Sequence, residues 1–505
     1  MRPSWNLVAT RAALVALVAA TACAPRAPGR SAAPAAPPRL SADDVRADLA
    51  QLYTTLQQAH YDLYARTPRD AYDARYAATR AAITGPETPL EVALRFQRFV
   101  AFGRIAHARV DAIYAAFARY LADGGVAFPL LVRVVGDRVY VTDNRSGLAA
   151  IARGDELLAL DGQPIAAWLA RAYGDLSADT PYLAGGLLED DLPMVLWLEL
   201  GSPTSFAVTL RRGDAAPVDL TLPARTDAAM KAAAQAEPPV LALDYKTRTA
   251  RMVDGTLAYL RPGPFYNAAP DATDEYDNTQ FRTFIDDAFR DFIAAGATAI
   301  VIDLRNNPGG DSSFSDIMVG WFATRPFAFE SSFRIKVSAP AIAANQRRLD
   351  LEARATSSPT PRPPSASRRF ADAYARARIG DTIAFEVPPS QPRPAPRFTG
   401  KVYVLINRHT YSNAVAVAAT IQDAHLGVIF GEETSDLATT YGAMETFTLD
   451  HSGLVVGFPK AYIVRPSGDL EARGVVPDRA IETPIVETAD DPVLQRAFAI
   501  ARGAD

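Results

Sequence analysis

At 505 residues the chain is too long for one ordinary hydrophobic core, and its length divides it into about three domains. With 49% hydrophobic and 22% charged residues it has the balance of a soluble globular protein, so wholesale disorder is excluded. A formal net charge of −5 gives no electrostatic case for a nucleic-acid or anionic-membrane partner. The sequence also holds neither a Gly-rich phosphate loop nor a Cys/His cluster, so no metal or organic cofactor is expected.

Arg2 and Arg11 lead into an apolar run, residues 12–20, too short to span a bilayer and suited to the core of a secretory leader. The run ends at Ala20-Thr21-Ala22-Cys23, which carries the single cysteine of the chain. Small residues before a lone cysteine resemble a bacterial lipobox, with Ala20 where leucine is usual. The resemblance implies cleavage of residues 1–23, acylation of Cys23 and an exported protein, lipid-anchored in the periplasm or outer membrane. Plain leader cleavage with Cys23 incidental is the alternative. One cysteine permits no disulfide within the chain, so packing alone must hold it together. Residues 24–40, rich in Ala and Pro, read as a semi-rigid tether.

Ser41 followed by Asp43 and Asp44 predicts a helix start. Leu49, Leu52, Leu56 and Tyr61, then Leu94, Phe96, Phe99 and Val100, fall at helical spacing, with Gly85-Pro86 as a break. Residues 41–122 are therefore read as an N-terminal helical domain. From residue 123 the texture turns to short β-rich runs. Residues 130–135 and 139–142 flank Gly136-Asp137 as a hairpin, and residues 206–210 and 218–222 form a closing pair. The run Gly154-Asp155-Glu156-Leu157-Leu158-Ala159-Leu160-Asp161-Gly162 resembles a PDZ domain, placed at 123–228. An insertion at about 170–203 departs from that pattern. Its Leu187, Leu188 and residues 194–197 are apolar enough for a peptide-contacting lip or for extra core.

Residues 229–490 alternate strands and helices. Residues 299–304 and 402–406 read as buried parallel strands, each followed by a loop and a helix, which argues an α/β layer architecture. A Pro/Arg-rich segment within about 340–398 reads as a mobile insertion, and residues 491–505 as a C-terminal helix or tail. The expected fold class is thus multidomain α+β: a helical domain, a PDZ-like β domain and an α/β catalytic domain.

Two loops after those strands carry the chemistry. Arg305-Asn306-Asn307-Pro308-Gly309-Gly310-Asp311 places a glycine pair where backbone N–H groups could meet an oxyanion, or simply turn the chain. Asn407-Arg408-His409-Thr410-Tyr411-Ser412-Asn413 opens a small-residue helix with a serine that reads as a nucleophile or as a helix cap. Residues 302–310, the Ser412 segment, Gly431-Glu432-Glu433-Thr434 and Gly474-Val475-Val476-Pro477-Asp478, in that order, resemble the S41-type peptidase superfamily of tail-specific and carboxyl-terminal processing peptidases. The resemblance implies a catalytic domain of the ClpP/crotonase-like fold. In the Ser-Lys branch a lysine follows the Gly-Glu-x-Thr segment; in register that place is Leu437, which cannot accept a proton. The segment 102–110 resembles instead the histidine segment of the tricorn-core-like branch, which implies His107 as base and Glu471, upstream of Gly474, as its orienting carboxylate. Asp469 is the rival for the carboxylate, and His409 and Lys460 are rivals for the base. Gly310, Asn413 and Gly309 are the expected oxyanion donors, while Asp303 and Arg305 are expected to order the loop.

The expectation is a serine endopeptidase acting on polypeptides through an acyl-enzyme, with the PDZ-like domain capturing an extended peptide by its C-terminus. The alternative is a non-catalytic protein binding a peptide or apolar ligand on the same scaffold.

Overall fold

A computed structural model describes residues 39–236, 238–355 and 365–503. The expected leader, Cys23 and nearly all of the tether lie outside the described residues.

Helix α1 (Ala42–Ala59) starts as its sequence dictates, with the Ser41 hydroxyl accepting the Asp44 N–H. Helices α2 (Arg69–Ala81), α3 (Pro89–Ala101) and α4 (Ala112–Ala122) follow. A full capping box of Thr88 and Glu91 with Pro89 in the first turn sets the start of α3. The apolar faces of these helices share one core, whose centre includes Leu52, Phe96 and Phe99.

Strands β1 (Leu130–Val135), β2 (Arg138–Asn144) and β3 (Glu156–Leu160) precede helices α5 (Ile165–Ala172) and α6 (Pro181–Leu200). Strands β4 (Ser205–Arg211) and β5 (Val218–Pro223) complete an antiparallel sheet in the order β1-β2-β3-β4-β5. The insertion at 170–203 is mainly α6, and it is core rather than lip. Leu188, Met194, Val195 and Leu196 are all buried.

Strands β6 (Thr249–Met252) and β7 (Leu257–Arg261), helix α7 (Thr279–Ala294), strand β8 (Ala299–Asp303) and helix α8 (Ser312–Val319) open the second half. Next come β9 (Ser332–Lys336), α9 (Ala339–Ala355), α10 (Ala366–Ala375) and β10 (Thr382–Ala384). The segment expected as a mobile insertion thus carries two helices and a short strand, apart from residues 356–364, which fall outside the described residues. Tyr374 and Phe385 pack with Ile335 and Val337, and Arg348 pairs with Glu445, which ties the segment to the body. Its Pro and Arg content hid these two helices.

The chain ends with β11 (Lys401–Ile406), α11 (Asn413–Asp423), β12 (Val428–Gly431), β13 (Thr440–Thr448), β14 (Val455–Val464), β15 (Arg479–Ala480) and α12 (Pro492–Ala501). A six-stranded sheet runs β15-β12-β11-β8-β7-β6, parallel except for β6. Every residue of β8 is buried because helices cover both faces. The α12 segment, read as a helix or tail, is one of those layers, with Ala497 and Phe498 packed on Tyr259 and Val301. A smaller antiparallel sheet runs β10-β9-β14-β13. The protein is a multidomain α+β chain.

Candidate active site

The two predicted loops meet at the ends of the adjacent parallel strands β8 and β11. Their side chains stitch them together. The Asn306 N–H donates to Asn407 Oδ1 at 3.1 Å, Asn407 Nδ2 donates to Asn306 Oδ1 at 2.8 Å, and the Tyr411 N–H donates to the Asn307 carbonyl at 2.9 Å. Arg305, buried beneath, bridges Asp303 and the α12 cap Asp491 through paired hydrogen bonds, so Asp303 and Arg305 do order the loop.

Ser412 occupies the cap position of α11, but its side chain makes no capping hydrogen bond. Its backbone sits at φ 53°, ψ −125°, a region that costs a non-glycine residue about 1–3 kcal/mol. A serine serving only as a cap would sit in the extended region and bond the second or third helical N–H. This one is held on a strained elbow and half exposed.

The glycine pair makes that elbow possible. A Cβ on Gly309 (φ 83°) would lie 2.6 Å from the Asn413 nitrogen and 2.8 Å from Ser412 Cβ. On Gly310 (φ 134°) it would lie 2.2 Å from the Phe265 carbonyl oxygen. The Gly309 N–H is committed to Asn307 Oδ1 at 2.9 Å, so Gly309 shapes the site and is not an oxyanion donor as expected. Among the described residues the N–H groups of Gly310 and Asn413 meet no protein acceptor, which leaves them free for an oxyanion.

His107, which follows α3, is buried with its ring stacked on Tyr411, centroids 5.5 Å apart. The helical region thus delivers an imidazole to the residue beside the serine. Burial, with Arg109 adding to it, lowers its pKa to about 4 against a hydrogen bond to the Tyr441 backbone, so the ring is neutral at physiological pH. Nδ1 is buried and has no hydrogen-bond partner among the described residues. No hydrogen bond joins it to the Ser412 hydroxyl.

The rivals are engaged elsewhere. His409 Nε2 lies 2.9 Å from Glu189 Oε2, and this carboxylate raises the imidazole against the effect of burial. Lys460 Nζ donates to Glu445 Oε1 at 2.6 Å and lies over the Phe370 ring. Glu471 is not on His107: its side chain is 62% exposed and lies 3.7 Å from Arg473. Asp469 accepts the Glu471 N–H at 2.9 Å and is likewise exposed. Leu437 is buried, as an apolar side chain at that register should be.

Sequence reasoning missed Asp436, the residue beside Leu437. Its Oδ2 accepts the Ser412 N–H at 2.6 Å and its Oδ1 the Leu437 N–H at 3.0 Å. A lone acid within Thr434-Ser435-Asp436-Leu437-Ala438 was the available signal. Also missed was a latch between the sheets. Arg408 donates to Glu189 Oε1 and to the Val134 carbonyl, each at 2.7 Å, and to Glu432, while Glu189 accepts the Val134 N–H at 2.7 Å. Val134 lies on β1, the edge strand where an added peptide would pair, so both its outward groups are taken. Between β1 and α5, α6 contributes Leu188, Leu192, Val195 and Leu196, which leave only a small apolar cavity. The expected peptide groove is filled by the chain itself.

Residues 275–481, less than half of the chain, match the family described as Peptidase family S41. This segment is thus similar to the S41 serine peptidases. No curated protein matches the chain. Among solved structures, mature CPAF aligns with TM-score 0.60 at 17% identity, covering 91% of this chain and 95% of its own. CPAF complexed with lactacystin gives 0.60 at 17%, covering 91% and 96%. The photosystem II D1 C-terminal processing protease gives 0.43 at 16%, covering 87% and 93%. The protein therefore shares its multidomain fold with CPAF.

Proposed function

We propose that this protein is a serine endopeptidase of the S41 family in which Ser412 is the nucleophile and His107 its base. The observation that carries the reading is the uncapped, strained Ser412 elbow beside two uncommitted N–H groups. Ser412 Oγ bonds the scissile carbonyl carbon as its proton passes to His107 Nδ1. The carbonyl oxygen, now an oxyanion, is held by Gly310 and Asn413. Collapse breaks the C–N bond, and the amine leaves with the proton from His107. Water then repeats the sequence to release the acid and restore the serine. The substrates are polypeptides, and the filled groove beside β1 gives no support to capture of their C-termini there.

The lack of a hydrogen bond between Ser412 and His107 is the one observation that favours a non-catalytic scaffold. Catalytic hydrogen bonds commonly tighten only as substrate binds, and the elbow has no use in a scaffold. Covalent labelling by a fluorophosphonate decides: Ser412 displaces fluoride from phosphorus in an enzyme and stays unlabelled in a folded scaffold. Export with acylation of Cys23 belongs to the same reading, supported by the sequence of residues 1–23. It requires that the protein fractionate with membranes and that Cys23→Ser release it.

A further inference from the structure

Ser412 precedes the first turn of α11, so the helix provides no acceptor for its N–H. A strained elbow with an orphaned N–H would relax toward a capping conformation. In this chain the N–H meets a carboxylate instead, at 2.6 Å, and that carboxylate is fully buried. Its other oxygen is taken by the Leu437 N–H, so the group cannot rotate away.

The loop bearing Asp436 is itself pinned to the nucleophile loop. Ser435 donates to the Arg408 carbonyl through both its hydroxyl (2.5 Å) and its N–H (3.2 Å). Thr434 Oγ1 donates to the Asp436 carbonyl at 2.9 Å, and the Thr434 N–H reaches Val475 at 3.2 Å. Resting on the peptidase reading above, we propose that Asp436 is a positioning residue for the nucleophile. Its carboxylate clamps the Ser412 N–H and thereby holds the hydroxyl in its attacking orientation. The register that supplies a lysine base in the Ser-Lys branch supplies here an acid that grips the serine backbone.

The clamp has a pH signature. Asp179, before α6, and Arg109, after His107, are the charges that act on Asp436, and Asp179 is held in turn by the Ala106 N–H and Arg66. His107 is the other titratable group of the site. Burial, with Asp179 adding to it, pushes Asp436 up to about 7. The ionised form is the stronger acceptor, so the grip tightens as pH rises through neutrality. His107 titrates near 4 and cannot produce a limb there.

The test uses the full chain and two variants, read by fluorophosphonate labelling and by kcat and KM on a peptide. Asp436→Ala is expected to lower kcat about 100-fold with KM within threefold. Asp436→Asn keeps an acceptor and folds in the same space; it is expected to retain activity within tenfold and to lose the pH limb near 7. Wild-type kinetics in Asp436→Ala, or a limb near 7 that survives in Asp436→Asn, overturns the clamp. Should folded wild type take no label at all, the peptidase reading falls instead. Hydrogen exchange at the Ser412 amide then reads the clamp by itself: acceleration of tenfold or more in Asp436→Ala supports it, and unchanged exchange overturns it.

Discussion

Glu471 and His107 make different claims on the chemistry, and their surroundings separate them. The exposed Glu471 carboxylate lies beside Arg473, whereas the buried His107 ring lies on Tyr411 with an unpartnered nitrogen. Glu471→Ala is expected to leave the rate of serine labelling within threefold of wild type. A loss of a hundredfold would place Glu471 on the imidazole during reaction and contradict the resting geometry. The placement of the Gly309-Gly310 and Ser412 loops at adjacent strand ends was legible in the sequence because a strand, a glycine pair and a small-residue helix fix backbone direction locally. Asp436 was not, because its partner is a backbone N–H 24 residues away, supplied by the fold alone. The commitment of Gly309 to Asn307 was equally invisible, since it depends on one side-chain rotamer.

The elements that carry the site are joined by one ion cluster. Arg408 stands in the nucleophile loop yet spends its hydrogen bonds on β1, α6 and the segment after β12. Burial alone would raise the Glu189 carboxyl, but His409 and Arg408 hold it below its ordinary value. Removing the guanidinium takes a charge partner from buried Glu189 and from half-buried Glu432. Arg408→Ala is expected to cost about 3 kcal/mol of unfolding free energy in urea. A cost under about 1 kcal/mol would show that the latch is dispensable. The strands and most helices were legible from period and turn chemistry. The contribution of α6 was ambiguous, because an apolar helix reads the same whether it lines a groove or fills it. Two helices within 339–375 were hidden by charged residues whose partners lie on other elements, as Arg348 shows with Glu445.

Across the whole molecule, buried titratable groups set the response to acid. Burial holds His60 near 3 and His107 near 4, below the ordinary histidine value. A depressed histidine contributes stability above about pH 6.5 that is lost as pH falls toward the folded value, because the unfolded chain takes up the proton first. Asp436, raised to about 7, has the opposite sign: its contribution is full below about 4 and is lost as pH rises to 7. Opposed terms make the total slope uninformative, so a single group is the better probe. His60, buried with both ring nitrogens unpartnered, is suited to it. From pH 7 to pH 5 the stability of His60→Phe should rise by about 2 kcal/mol relative to wild type. A pH-independent difference would mean that the ring is hydrated or partnered.

The central claim is a serine activated by an imidazole brought from the helical region. The direct measurement is the rate and site of fluorophosphonate attachment, read by intact mass and peptide mapping at pH 8. The account predicts one adduct, on the peptide containing Ser412, absent in Ser412→Ala and slowed by roughly 1000-fold in His107→Ala. Folded protein that takes no adduct, or His107→Ala that labels as fast as wild type, would contradict it.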